Sequence, residues 1–147
     1  MAPVYKNIKF DLIKDQHNYK WWVPITFDYA DGHMNQTSPS HWLTPDKVEI
    51  EIENLEKNKA VIVNIQQTGY YRVNYDNENW NLIISALQDG TNSINRINRG
   101  QIFNDLFNLA KTGHVSYNLA LDSTKYLFSE TDYIPWKAGL ISLGKKL

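Results

Sequence analysis

The sequence predicts an antiparallel β-sandwich followed by an array of antiparallel α-helices, with the change of character near residue 76. Three observations carry this expectation. Before residue 76, short apolar runs alternate with turn clusters at the spacing of a sandwich. After it, apolar residues recur with helical period. Aromatic residues make up 13% of the 147, with nine Tyr and five Trp, which favours packed strands over disorder. The expected division is therefore a sandwich over 1–76 and helices over 77–147.

In the first half, Trp21-Trp22-Val23-Pro24-Ile25-Thr26-Phe27 reads as a strand, and Pro24 pushes it toward a sheet edge or a bulge. Asp31-Gly32 and the polar run from His33 to Ser40 form a loop. Val48, Ile50 and Ile52 alternate with Glu49, Glu51 and Glu53, a half-buried strand with an acidic outer face. Ala60 to Ile65 is a further strand, and Thr68-Gly69 is expected to reverse the chain into a last strand over Tyr70–Tyr75. A positive φ is expected at Gly69. Along that strand Tyr71 and Val73 share one face, while Tyr70, Arg72 and Asn74 share the other. By the same alternation, Trp21-Trp22 and Tyr70-Tyr71 each send one ring inward and one outward.

In the second half, Trp80, Ile83, Ile84 and Leu87 fall at i, i+3, i+4 and i+7, and Asp89-Gly90 closes that helix. A second helix carries Ile102, Phe103, Leu106, Leu109 and Ala110, with Gly113 as its C-terminal stop. Ser116 is the expected N-cap of a third, with Val115 and Ala120 as a hydrophobic staple. Its inner face is expected to hold Ala120, Thr124, Leu127 and Phe128. Pro135 suits the first turn of a fourth helix, which the chain end is expected to truncate.

Composition excludes several functions. A net charge of −1 supplies no basic field for a phosphate backbone, so no nucleic-acid partner is expected. No apolar run reaches the 18 or so residues of a membrane span, and the first residues show no pattern of a signal peptide. The absence of cysteine removes disulfides, thiolate zinc sites and thiol nucleophiles. Of His17, His33, His41 and His114, none stands four residues from another and none precedes Glu, so the helical His-Glu-x-x-His zinc pattern is missing. Ser40 and His41, adjacent on a strand, are expected to point to opposite faces. Glu49, Glu51 and Glu53 read as a solvated strand face, because like charges repel. One modification signal is present: Asn35-Gln36-Thr37 is a glycan-acceptor triplet in a polar stretch, and its plainer reading is an unmodified loop.

Gly69-Tyr70-Tyr71-Arg72-Val73-Asn74-Tyr75-Asp76, followed by Asn79-Trp80, closely resembles the end of the third domain of the M1 (gluzincin) zinc aminopeptidases, the aminopeptidase N family. Asn98-Arg99-Gly100-Gln101-Ile102, Phe107-Asn108-Leu109-Ala110-Lys111 and Glu130-x-Asp132-Tyr133-x-Pro135-Trp136 resemble further family segments in the same order. Upstream, Trp22-Val23-Pro24-Ile25 resembles a family strand. The style looks closer to insect-type aminopeptidase N than to bacterial members. Gly100 stands where the family usually has Ala, at a helix-propensity cost of about 1 kcal/mol.

The resemblance implies a four-domain parent whose zinc ligands and Gly-x-Met-Glu-Asn motif lie in a catalytic second domain. This sequence has neither. It maps onto most of the third domain, a β-sandwich whose first strands are missing here, and the opening helices of the fourth, a helical superhelix. The resemblance thus implies no catalytic, cofactor or metal residue in this chain. It implies structural roles for Gly69, Tyr70, Tyr71, Arg72, Tyr75, Trp80, Asn98, Arg99 and Trp136. Zinc belongs to the parent's catalytic domain, the partners are the parent's remaining domains, and the location is extracellular or cell-surface. The alternative is a stand-alone sandwich module that binds a partner or a sugar through exposed aromatics.

Overall fold

The computed structural model describes residues 6–9, 21–47, 49–89 and 93–144; His17, Val48 and Gly90 lie outside them. Among the described residues six short strands come first: β1 (Lys6–Lys9), β2 (Val23–Ile25), β3 (Phe27–Tyr29), β4 (His41–Leu43), β5 (Glu49–Ile52) and β6 (Val61–Val63). Four α-helices follow among the described residues: α1 (Asn77–Gln88), α2 (Arg96–Lys111), α3 (Tyr117–Ser123) and α4 (Tyr133–Gly144). The described strands pair antiparallel as β1–β5, β2–β4 and β3–β6.

β2 and β3 are one stretch of chain that changes partner at Thr26, leaving β4 for β6. Thr26 fixes the change: its carbonyl accepts from Asn64 N at 2.9 Å and its hydroxyl from Ile65 N at 2.8 Å. The strand expected from Trp21 begins instead at Val23. Trp21 and Trp22 precede it and are 59% and 66% exposed, so neither ring turns inward and strand alternation does not reach them. Pro24 lies on a strand paired, among the described residues, with β4 alone, which suits a residue without an N–H. β5 keeps its expected faces, with Ile50 and Ile52 buried and Glu51 exposed.

The hairpin expected at Gly69 is replaced by a different device. The chain reverses earlier, in a 3₁₀ turn at Ile65–Gln67, where Asn64, Gln66 and Gln67 have φ of 64°, 53° and 54°. Gly69 is not among the positive-φ residues. Left-handed backbone at a non-glycine residue persists only where its surroundings hold it. Here the Asn64 side chain spans the loop, accepting from Gly69 N at 2.8 Å and donating to Gly69 O at 2.9 Å. Glycine at 69 answers to space instead: a Cβ there would lie 2.2 Å from Cε1 of Tyr71.

Residues 70–75 form no strand with β6. The expected faces survive even so, with Val73 buried, Tyr71 half-buried, and Tyr70, Arg72 and Asn74 exposed. The second edge of β6 is closed by side chains. Asn79 accepts from Val61 N and donates to Val61 O, both at 2.9 Å. The Tyr75 hydroxyl accepts from Val63 N at 2.9 Å, and Gln101 Nε2 donates to Val63 O at 3.5 Å. Backbone groups that an edge strand would leave open are thereby satisfied.

β6 also separates two cores. Val61 and Val63 pack with Val23, Ile25, Leu43, Ile50, Ile52, Leu55 and Val73 among the strands. Ala60, Ile62 and Ile65 pack with Trp80, Ile83, Leu87, Ile102, Phe103 and Leu106 among the helices. Period-2 alternation thus gives one strand a stake in each core.

Two expected end signals hold, Gly113 after α2 and Ser116 before α3, and the structure adds a third at Asp76. The Asp76 carboxylate caps α1 by accepting from Asn79 N at 2.6 Å, and Trp80, Ile83, Ile84 and Leu87 are buried. α2 stops at Gly113, φ 79°, with His114 N donating to Leu109 O and Gly113 N to Ala110 O. That is a Schellman close. Ser116 caps α3 by accepting from Leu119 N at 3.2 Å. Val115 and Ala120 join the same core cluster.

The inner face expected beyond Ala120 needs correction. After Ser123 the chain tightens into a 3₁₀ helix over Thr124–Ser129. Three residues per turn in place of 3.6 rotate the later positions. Ala120 and Leu127 stay buried, but Tyr126 turns in where Phe128 was expected, and Phe128 is 97% exposed. Thr124 is only half-buried. Pro135 lies in the first turn of α4, which packs on α2 where Gly100 leaves room. A Cβ on Gly100 would meet Ile134 Cγ2 at 3.2 Å.

Candidate functional site

α2 is buried on more than its apolar stripe. Asn98, Arg99, Gln101 and Asp105 are all buried on it. Asn98, Gln101 and Asp105 fall at i, i+3 and i+7, which aligns them on one face toward the strands. Arg99, one position on, points to the far side.

The strand-facing row is a continuous hydrogen-bonded seam. Asn98 Oδ1 accepts from Gln66 N at 2.9 Å, and its Nδ2 donates to Asn64 O at 3.1 Å and Gln101 Oε1 at 2.8 Å. Gln101 Nε2 donates to Asp105 Oδ2 at 3.3 Å. Asp105 Oδ2 also accepts from Val73 N at 3.1 Å, and Oδ1 from Arg72 Nη1 at 3.3 Å. Arg72 reaches Asn104 Oδ1 as well, at 2.5 Å. Burial pushes the Asp105 carboxyl up to about 6, against the pull of Val73 N–H, Gln101 and Arg72. Its charge is therefore held at a cost.

On the opposite side, Arg99 meets Glu130 from Nε to Oε2 at 2.7 Å and from Nη2 to Oε1 at 3.1 Å, while Nη1 donates to Ile94 O at 2.6 Å. Glu130 also accepts from the Tyr126 hydroxyl at 2.6 Å and from Thr131 N and Asp132 N at 2.8 and 2.7 Å. The Trp136 indole donates to Glu130 O at 3.0 Å. Burial opposes the Glu130 charge, but Arg99, Tyr126 and the Asp132 N–H outweigh it and hold the carboxyl below the usual carboxylate range. Arg99 responds in kind: desolvation pulls it down, Glu130 pulls harder, and the net direction is up.

Of the other motif residues, Tyr71 donates from its hydroxyl to Pro24 O at 2.8 Å, tying the 70–75 segment to β2. The Tyr75 and Trp80 rings meet edge to face at 4.7 Å, and Trp80 Nε1 donates to Asn74 Oδ1 at 2.9 Å. Burial raises the Tyr71, Tyr75 and Tyr126 hydroxyls far above neutral pH, so they act as neutral phenols. Tyr70 is fully exposed and apart from both networks.

Sequence reasoning missed Asn64, Asn79, Gln101, Asp105, Tyr126 and Glu130 as site residues. For Gln101 and Asp105 a signal existed, a polar row at i, i+3 and i+7 within an otherwise core-facing helix. For Asn79 the one signal was its place in the family-like Asn79-Trp80 pair, and for Asn64 there was none, because its partners are backbone groups.

Among the described residues no buried side-chain nitrogen or oxygen lacks a hydrogen-bond partner. Nor do the described residues include a group of three or more His, Asp or Glu side chains placed to hold a metal ion. His33 and His114 are exposed, and His41 is half-buried. One expectation is corrected here. Ser40 sits in a bend outside β4, and its hydroxyl lies 3.0 Å from His41 Nδ1 instead of on the opposite face. Asn35 is exposed in the loop before β4.

Both polar clusters thus meet on α2, the one toward the strands and the other toward the segment that leads into α4. The family model of the ERAP1-like C-terminal domain matches residues 60–146, and the chain belongs to that family. Among curated proteins, aminopeptidase N of Homo sapiens is 44% identical over 128 residues, covering 87% of this chain. Aminopeptidase N of Plutella xylostella is 43% identical over 126 residues, covering 84%. The membrane alanyl aminopeptidase of Heliothis virescens is 40% identical over 142 residues, covering 95%. The matched segment is only 13% of each of the first two proteins and 14% of the third. The family match begins at Ala60, at the strand whose open edge the helices close.

Proposed function

We propose that this chain is a non-catalytic scaffold segment of an M1 zinc aminopeptidase, a protein that removes N-terminal residues from peptides at the cell surface. Residues 1–76 correspond to the β-sandwich third domain, and the partner change at Thr26 favours that reading, since sandwich corners are made by strands that switch sheets. Residues 77–147 open the helical C-terminal domain. Gly69, Tyr71, Arg72, Tyr75, Trp80 and Asn98 act as structural residues at the junction of the two, and Arg99 and Trp136 as structural residues within the helical half. Tyr70 belongs to the surface that a neighbouring domain covers, together with Trp21, Trp22 and the apolar outer side of α4 at Leu140 and Ile141.

The observation that carries this reading is the pair of opposed polar clamps on α2. Zinc is assigned to the parent's catalytic domain, as the family resemblance implies. A stand-alone binding module is the second reading, favoured by the exposed Trp21, Trp22, Trp42 and Tyr70.

The purified chain is expected to release no residue from chromogenic aminoacyl substrates and to bind no stoichiometric zinc. Chelator-sensitive turnover lost on substituting His33 or His41 would refute the scaffold reading. In the full-length protein, Asp105→Ala is expected to raise hydrogen exchange in residues 61–75 and 96–111 together. A rise confined to α2 would separate the two halves and favour the stand-alone module.

A further inference from the structure

We propose that Asn35 is the acceptor of an N-linked oligosaccharide, and that the loop carrying it stays open to solvent in the full-length protein. The proposal rests on the cell-surface reading above, because the modification requires passage through a secretory compartment. Asn35-Gln36-Thr37 is the one Asn-x-Ser/Thr triplet in the chain. It falls in the one setting where a transferase can reach it.

The asparagine is exposed, residues 33–37 have no regular structure, and no described residue hydrogen-bonds to the Asn35 amide. Asn64, Asn79 and Asn98 are the contrast, each buried with its amide engaged. The loop is pinned at both ends. Met34 is fully buried, its N–H on Asp28 Oδ2 at 2.9 Å and its carbonyl accepting from Gln66 Nε2 at 3.0 Å. At the other end, Ser40 N donates to Ile25 O at 2.9 Å. The triplet therefore projects outward from a fixed base, and a glycan on it displaces no packed group.

The donor is an oligosaccharide linked through pyrophosphate to a lipid. Transfer forms a bond between the anomeric carbon and Asn35 Nδ2 and breaks the bond from that carbon to the pyrophosphate oxygen. The pyrophosphate leaves with the electron pair, and Nδ2 gives up one proton.

The full-length protein is expressed in a secretory eukaryotic host, once with its native N-terminus and once behind a supplied secretory leader. Glycans are released with peptide N-glycosidase in heavy-oxygen water, and the tryptic peptide 21–47 is read by mass spectrometry. Asn35 is expected as labelled aspartate. Thr37→Ala should abolish the label and Thr37→Ser retain it, with circular dichroism showing both variants folded. Unmodified Asn35 in secreted, folded protein overturns the proposal. Label behind the supplied leader alone upholds the acceptor site and removes the cell-surface reading.

Discussion

Arg99 and Glu130 face each other through two parallel hydrogen bonds, 2.7 and 3.1 Å long, with the carboxylate wholly withdrawn from solvent. The pair joins α2 to the corner between the 3₁₀ helix and α4; Glu130 accepts further hydrogen bonds within that corner, while Arg99 donates another to Ile94 O, just ahead of α2. Arginine suits this position because its planar fork matches a carboxylate in two places at once.

Removing one partner of such a pair strands the other charge in the interior. Glu130→Gln is expected to cost about 3–5 kcal/mol in urea unfolding. The double change Arg99→Met with Glu130→Leu should recover much of that loss, because it leaves no unpaired charge. A single variant within about 0.5 kcal/mol of the parent chain would mean that the pair is solvated. The sign with pH follows from the lowered carboxyl. The Glu130 contribution is present above its unfolded value, near 4.5, and is lost as pH falls through the folded one.

Asp105 works in the other direction. Its folded value of about 6 lies above the ordinary 3.8, so the native state holds this proton more tightly than the unfolded chain does. Stability from this group is therefore greatest below about pH 4 and declines as pH rises to about 6, by at most ~3 kcal/mol. Urea midpoints of the chain and of Asp105→Asn, compared between pH 4 and 7.5, should show that slope in the former alone. Equal slopes would place the titration elsewhere.

Trp80 stands where the strand and helix cores meet, with no exposed surface. Trp80→Ala is expected to destabilise by about 3–5 kcal/mol. Trp80→Phe should cost less, since it keeps an edge-to-face ring for Tyr75 and gives up only area and the bond to Asn74. A loss below about 0.5 kcal/mol for the alanine variant would place the ring in solvent.

Gly69→Val should cost more than about 1 kcal/mol, and the structure names the cause as the Tyr71 ring. In a Tyr71→Ala background the same substitution should be nearly neutral. If the cost persisted there, backbone conformation and not space would be the reason for glycine.

The end signals of α2 and α3 were legible in the residues themselves. Gly113 and Ser116 act within one helical turn, through a left-handed φ and a hydroxyl that need no distant partner. The same holds for the buried row Trp80, Ile83, Ile84 and Leu87, and for the alternation of Glu51 with Ile50 and Ile52. Period is a local property of the chain, so the sequence by itself determined where strands give way to helices and which faces α1 and β5 bury.

Partners are another matter. That residues 70–75 would lie beside β6 without pairing to it depended on the Tyr75 side chain of that segment, with Asn79 from α1 and Gln101 from α2, taking the same backbone groups. That Phe128 would face water and Tyr126 the core depended on one turn tightening from 3.6 to 3 residues, which Glu130 rewards by accepting the Tyr126 hydroxyl. That Gly69 would be ordinary in φ depended on Asn64 bracing the reversal from inside the loop. In each case only the tertiary structure decided, because a buried hydrogen bond is worth making wherever the fold brings donor and acceptor together, whatever their separation in sequence.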